Sequence, residues 1–190
     1  ARNVALGDLD GDGKADAVVA FSGTGQGYVL RGNGDGTFTE RFTVNTLATP
    51  MGVGIARLDG DARPDVVFVN GAGPSQVLLA NADGGFTSVA NVATRPNAMG
   101  VSVADVDGDG HADLVTPVRD LSTGDVWVNL GVGDGTFGPA AGVGPGQAVL
   151  FTDTADLDGD GKVDFVSVRN GVDLVGVVLR TTTGEFAPER

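Results

Sequence analysis

The chemistry of this chain lies in its carboxylates. In Asp8-Leu9-Asp10-Gly11-Asp12-Gly13-Lys14-Ala15-Asp16, acids stand at positions 1, 3, 5 and 9, and the glycine at position 6 permits the sharp turn that curls them around one point. The backbone carbonyl at position 7, Lys14, adds another oxygen. A cage of oxygens alone, without imidazole or thiolate, selects Ca2+; Mg2+ keeps more of its water and demands stricter octahedral geometry. Four converging carboxylates repel one another strongly unless a cation sits among them. The pattern recurs at Asp105, Asp107, Asp109, His111 and Asp113, and again at Asp156, Asp158, Asp160, Lys162 and Asp164. Three calcium sites are expected.

The remaining copy is degenerate. Arg57-Leu58-Asp59-Gly60-Asp61-Ala62-Arg63-Pro64-Asp65 has arginine at position 1 and alanine at the turn. This loop is expected to hold no calcium, with the Arg57 guanidinium neutralising Asp59, Asp61 or Asp65 from within. An EF-hand would need Glu at position 12 and a helix beyond it. Position 12 is Val19, Phe68, Thr116 or Ser167, and strand-like sequence follows each loop. His111, the only histidine, sits at position 7, where the backbone is the ligand and the side chain points away, so it reads as a surface residue.

Composition narrows the function further. A net charge of −13 with only two lysines, Lys14 and Lys162, argues against nucleic acid and against anionic membrane surfaces. Three divalent ions would reduce that charge to −7. No apolar run approaches the ~18 residues that cross a bilayer, and Ala1 is not followed by a charged-then-apolar leader, so membrane insertion is not expected. The absence of Cys excludes disulfides, thiolate metal sites and cysteine nucleophiles.

The elements that hold the loops repeat with them. The four loops begin at residues 8, 57, 105 and 156, at offsets of 49, 48 and 51. A second marker keeps the same phase: Asp35-Gly36-Thr37-Phe38, Asp83-Gly84-Gly85-Phe86, Asp134-Gly135-Thr136-Phe137 and the degraded Thr183-Gly184-Glu185-Phe186. Before each loop an alternating segment reads as a strand (Val4, Leu6; Val53, Ile55; Val101, Val103), with small residues Ala5, Gly54 and Ser102 between. After each loop comes a short run, such as Val66-Val67-Phe68-Val69, that is apolar on both faces and needs cover on both. A third segment (Tyr28-Val29-Leu30, Val77-Leu78-Leu79, Val126-Trp127-Val128, Val175 to Leu179) leads into the Asp-Gly turn, a hairpin signal, and a weaker fourth strand follows each Phe. With 32 Gly, 29 Val and no helical stripe of useful length, the fold class is all-β.

Four short antiparallel strands at a period in the forties define a β-propeller blade. Residues 1–190 are expected to form one domain of four four-stranded blades, at about 1–47, 48–95, 96–146 and 147–190. The small residues of the first strand suit a crowded axis, and the doubly apolar second strand suits packing between blades.

Together, Val101 to Val115 and Gly133-Asp134-Gly135-Thr136-Phe137-Gly138-Pro139 resemble the FG-GAP/VCBS repeats of integrin α-subunit heads, lectins and secreted bacterial proteins. The resemblance spans essentially the whole chain. It implies as ligands the acids at positions 1, 3, 5 and 9 of the three intact loops; in the second copy only Asp59, Asp61 and Asp65 match. The family's rings usually have six to eight blades. Four blades therefore either close a compact ring or form part of a larger one, such as an eight-bladed ring completed by a homodimer.

The resemblance also implies a secreted or cell-surface protein whose loops fill at millimolar extracellular calcium. Its ligand would be a glycan, in a lectin-like or adhesion role, or a protein, the chain then serving as an interaction scaffold. Sugar sites present aromatic faces, and Trp127 and Tyr28 are the candidates, although each lies in an apolar strand. Asp153 and Asp173 are acids outside the loop pattern; Asp153 stands where the other copies have Ala5, Gly54 and Ser102. No enzyme is expected, because a base positioned beside a metal is not offered by one His, two Lys and one Tyr.

Overall fold

A computed structural model describes residues 1–46, 48–120, 126–143, 148–169, 175–181 and 186. Every regular element among them is a strand. The first sheet runs β1 (Asn3–Gly7), β2 (Asp16–Phe21), β3 (Gln26–Gly32) and β4 (Phe38–Asn45) in spatial order. The second runs β5 (Pro50–Ala56), β6 (Asp65–Asn70), β7 (Ser75–Ala80) and β8 (Phe86–Val92). The third runs β9 (Ser102–Ala104), β10 (Asp113–Pro117), β11 (Val126–Asn129) and β12 (Ala141–Val143). The fourth comprises β13 (Val149–Ala155), β14 (Asp164–Arg169) and β15 (Val175–Val178), with one further bridge between Arg180 and Phe186. All pairings are antiparallel between chain neighbours, so each sheet is a meander, and the four are arranged as propeller blades.

The acidic loop joins the first strand of each blade to the second, and register brings its two ends together: Gly7 pairs with Asp16, Ala56 with Asp65, Ala104 with Asp113 and Ala155 with Asp164. The second strands are the core of the molecule. All of β6 and β10 is buried, on both faces, because a neighbouring blade packs on each side. One apolar cluster joins Leu9, Val18 and Val29 of the first blade to Val53, Val66 and Phe68 of the second. Another joins Leu58, Val67 and Val77 to Leu114, Val101 and Val103, and a third joins Val106, Val115 and Val128 to Val149, Phe165 and Val178.

Small residues on the first strands allow this approach. A Cβ at Gly52 would stand 2.6 Å from the Gly100 Cα, and one at Gly54 would stand 2.8 Å from Val103 Cγ2. The outer strands are not uniformly weak. β4 and β8 span 8 and 7 residues, each starting at its Phe and each carrying a bulge.

Blade packs on blade from first to second, second to third and third to fourth. Among the described strands the first and fourth blades do not pack on each other, and the apolar faces they turn outward, with Val4, Leu6, Phe151 and Val175, lie open to solvent.

Candidate metal centres in the blade loops

Each intact loop is wound by its own carboxylates. Asp8 accepts the backbone N–H groups of Gly11 at 2.8 Å and Asp12 at 3.2 Å on one oxygen, and that of Gly13 at 2.9 Å on the other. Asp105 repeats this with Gly108, Asp109 and Gly110, and Asp156 with Gly159 and Gly161. The turn depends on glycine at position 6: Gly13, Gly110 and Gly161 have φ of 81°, 90° and 84°, a region that side chains with a Cβ avoid. Ala62, at that position in the second loop, is not among the positive-φ residues, so the second loop follows a different path.

Three groups of carboxylate oxygens result: Asp8, Asp10 and Asp16; Asp105, Asp107 and Asp113; Asp156, Asp158 and Asp164. Within each group the oxygens lie within 4.8 Å of one another. With Ca–O bonds of roughly 2.3–2.6 Å, oxygens that far apart can touch one ion, so each all-oxygen group could hold a hard divalent cation such as calcium, with further oxygens completing its shell. No such group forms from Asp59, Asp61 and Asp65 among the described residues.

The position-5 acids stand apart from these groups. Asp12 binds the Lys14 ammonium at 3.1 Å and Arg31 Nη2 at 3.2 Å, and Asp160 binds the Lys162 ammonium at 2.5 Å. The Lys14 backbone N–H and ammonium, with Arg31 behind them, lower the Asp12 pKa to about 2. Lys162 lowers that of Asp160 by the same two contacts. Asp109 accepts only the His111 N–H at 2.8 Å among its described position-7 contacts, and the His111 ring packs on Gly133 of the neighbouring turn. The structure thus brings positions 1, 3 and 9 together and turns position 5 toward the position-7 cation where there is one.

Position 9 has a role that composition alone does not reveal. Asp16, Asp65, Asp113 and Asp164 are completely buried. Each uses one oxygen for the N–H of loop position 2 and the other for an N–H at or just beyond the end of the third strand: Asp16 to Leu9 (2.9 Å) and Gly32 (2.8 Å), Asp65 to Leu58 (2.7 Å) and Ala80 (2.8 Å). Asp113 joins Val106 to Gly131 and Asp164 joins Leu157 to Arg180 in the same way. Burial pushes the Asp65 and Asp113 carboxyls up, against the pull of these two donors. The degenerate loop keeps this acid although it has lost position 1, so the anchor serves the blade independently of the metal group.

The expected internal cation is the wrong arginine. Among the described residues no ion pair joins Arg57 to Asp59, Asp61 or Asp65; Arg57 is exposed and lines a cleft with Asp8, Asp10 and Asn81. Arg63 binds Asp61 instead and donates from Nε to the Ala80 carbonyl at 2.9 Å. Position 7 follows the turn and faces the position-5 acid, whereas position 1 points out of a loop that no carboxylate winds inward. Two further arginines escaped the motif. Arg31 also meets Asp10 at 3.4 Å, and Arg180 donates to the Asp107 carbonyl of the preceding blade's loop at 2.7 Å. Both flank the end of a third strand, which the position-9 anchor draws up to the loop.

The aromatic candidates are committed elsewhere. Tyr28 donates to Gln26 at 2.8 Å and meets Phe21 edge-on, while Trp127 is partly buried beneath Arg95, whose guanidinium lies 4.3 Å from the ring centre. Asp153 is exposed on β13, and Asp173 lies outside the described residues.

The loops connect blades as well as strands. Gly135, in the third blade's Asp-Gly turn, donates to the Leu58 carbonyl of the second blade's loop at 2.8 Å. Asp35 and Asp134 pin such turns by accepting the hydroxyl and N–H of Thr37 and Thr136, which lowers their pKa values.

Comparison with known proteins agrees with this architecture. The crystal structure of BBS1N in complex with ARL6DN, soaked with lead, shares the fold with a TM-score of 0.51 at 16% identity, over 98% of this chain and 67% of that one. The mercury-soaked form of the same complex gives 0.50 at 14% identity, with the same coverage. No curated protein sequence matches the chain. The model of the FG-GAP-like repeat matches twice, over residues 8–68 and 57–116, each match running from one acidic loop through the next. With four blades in phase and an acidic loop at the same place in each, the chain belongs to the family of FG-GAP-like repeat proteins.

Proposed function

We propose that this chain is a calcium-stapled interaction module of a secreted or cell-surface protein, which presents its blades to a protein ligand and carries out no catalysis. The observation that carries this is the threefold recurrence of an Asp group within 4.8 Å at the same place in three blades. Asp8, Asp10 and Asp16, with their counterparts Asp105, Asp107, Asp113 and Asp156, Asp158, Asp164, would hold the ions, and the position-7 carbonyls of Lys14, His111 and Lys162 would add a ligand each. Calcium there neutralises charge and locks loops that already bridge blades; millimolar extracellular calcium would keep such sites filled.

A protein ligand is favoured over a glycan because Tyr28 and Trp127 are engaged within the blades. BBS1N, the propeller it resembles, is itself crystallised with a protein partner. The test is binding of labelled, calcium-loaded chain to intact cells, before and after protease or glycosidase treatment and in chelator. Loss on protease and chelator treatment, with glycosidase harmless, is expected. Loss on glycosidase alone would make the chain a lectin, and binding indifferent to chelator would separate calcium from recognition.

A further inference from the structure

The second loop lacks the carboxylate that winds the other three, and two backbone donors lose their acceptor with it. In the intact loops the position-1 acid takes the N–H groups of positions 4 and 6. Asp8 accepts those of Gly11 at 2.8 Å and Gly13 at 2.9 Å, Asp105 those of Gly108 at 2.6 Å and Gly110 at 2.9 Å, and Asp156 those of Gly159 at 2.7 Å and Gly161 at 2.9 Å. In the second loop only the N–H between them is taken, that of Asp61 by Asp59 at 3.0 Å. Gly60 and Ala62 are exposed, and their N–H groups find no acceptor among the described residues.

Arg57, which stands in the place of the missing acid, adds a cation to these donors. The other cations of the loops are engaged: Lys14 with Asp12, Arg31 with Asp10 and Asp12, Arg63 with Asp61, Lys162 with Asp160, and Arg180 with the Asp107 carbonyl. Arg57 makes no ion pair or hydrogen bond among the described residues, yet with Ala62 it lines a cleft of about 440 Å3 between the first two loops. The acids across that cleft are turned to their own loop. Both oxygens of Asp8 accept N–H groups there, and Asp10 meets Arg31 at 3.4 Å. Asn81 also lines the cleft; the Thr87 hydroxyl occupies its Oδ1 at 2.9 Å, which leaves Nδ2 as a further donor. The cleft therefore gathers a guanidinium and amide donors that have no acceptor of their own. A carboxylate is what the same loop is wound around in the other three blades, and the planar fork of an arginine matches one.

We propose that the cleft between the first and second blades receives a carboxylate side chain of the protein ligand, paired with Arg57 and taking the N–H of Ala62, so that the partner supplies the acid the second loop lacks. The partner's nature rests on the reading of the chain as a protein-binding module, but the site can be probed without the partner.

The experiment is an NMR chemical-shift titration of the calcium-loaded, isotope-labelled chain with N-acetylglutamate amide, and with N-acetylglutamine amide as the neutral control. The glutamate probe should shift the amide of Ala62 and the Arg57 Nε–H saturably, and the glutamine probe should shift neither. Arg57→Gln should weaken the glutamate probe about tenfold, whereas Arg2→Gln, which removes the same charge outside the cleft, should leave it unchanged. Arg57→Gln should also lower the protease-sensitive binding to cells by a similar factor. Absence of these shifts, equal shifts with both probes, or an Arg57→Gln chain that binds probe or cells as well as the parent would each overturn the proposal. A failed titration with cell binding intact overturns this site and not the protein-binding reading; shifts as expected in a chain that binds no cell protein overturn that reading and not the carboxylate site.

Discussion

The carboxylate of Asp65 accepts the N–H of Ala80 at 2.8 Å in the one blade whose loop has no acid at its first position. Its other oxygen takes the N–H of Leu58 at 2.7 Å, so a single buried side chain ties the loop to the third strand without a metal. Asp65→Asn puts an amide N–H against one of these donors. Leaving a buried donor unmatched costs about 1–3 kcal/mol, so the variant should melt lower by that amount in calcium and in chelator alike, as differential scanning calorimetry would record.

The pH dependence of that loss has a definite sign. Burial raises the Asp65 pKa, so its contribution to stability is fully present below the ordinary aspartate value of about 3.9 and is lost as pH rises through the raised value. The destabilisation caused by Asp65→Asn should therefore be larger near the ordinary aspartate pKa than at neutral pH. Urea titrations of parent and variant at the two pH values give the comparison.

Chelation should lower the melting temperature markedly, because emptied loops keep their carboxylates within 4.8 Å of one another. Asp107→Ala removes one ligand of the third-blade group and should reproduce part of that loss, whereas Asp59→Ala, outside any group, should change the chelator effect little. Melting curves of the two variants with and without chelator separate these outcomes.

Two substitutions should rebuild the degenerate loop. Arg57→Asp returns the carboxylate that winds positions 4 to 6, and Ala62→Gly returns the residue that accepts the positive φ seen at Gly13, Gly110 and Gly161. The double variant should bind one calcium more than the parent by isothermal titration, and either change alone should not.

Phe68 tests the blade junctions. It is fully buried and its ring lies over Gly27 of the first blade, where a Cβ would stand 2.2 Å from the ring tip. Phe68→Ala should cost about 3–5 kcal/mol by opening a cavity, and Gly27→Ala about 1–3 kcal/mol by overpacking, both read from urea unfolding.

The blades were legible because loop and turn recur in phase, and two periodic markers fix strand order in a meander. The doubly apolar run Val66 to Val69 foretold burial on both faces, and β6 has it. What sequence spacing could not supply was direction. Asp16 and Asp12 are both acids of one motif, yet Asp16 points inward to Gly32 and Asp12 outward to Lys14 and Arg31. Arg57 and Arg63 are likewise equal candidates by charge, and only the path of the turn selects Arg63. Val4 and Leu6 match Val53 and Ile55 in pattern, but burial depends on whether a neighbouring blade is present, which no local pattern encodes.

The most direct test of the account is the number of calcium ions bound per chain, counted by native mass spectrometry on parent, Asp107→Ala and Asp59→Ala. Three ions in the parent, two in Asp107→Ala and three in Asp59→Ala are predicted. A parent with none or four, or an ion lost on Asp59→Ala, would contradict the assignment of metal to the three wound loops and of metal-free anchoring to the second blade.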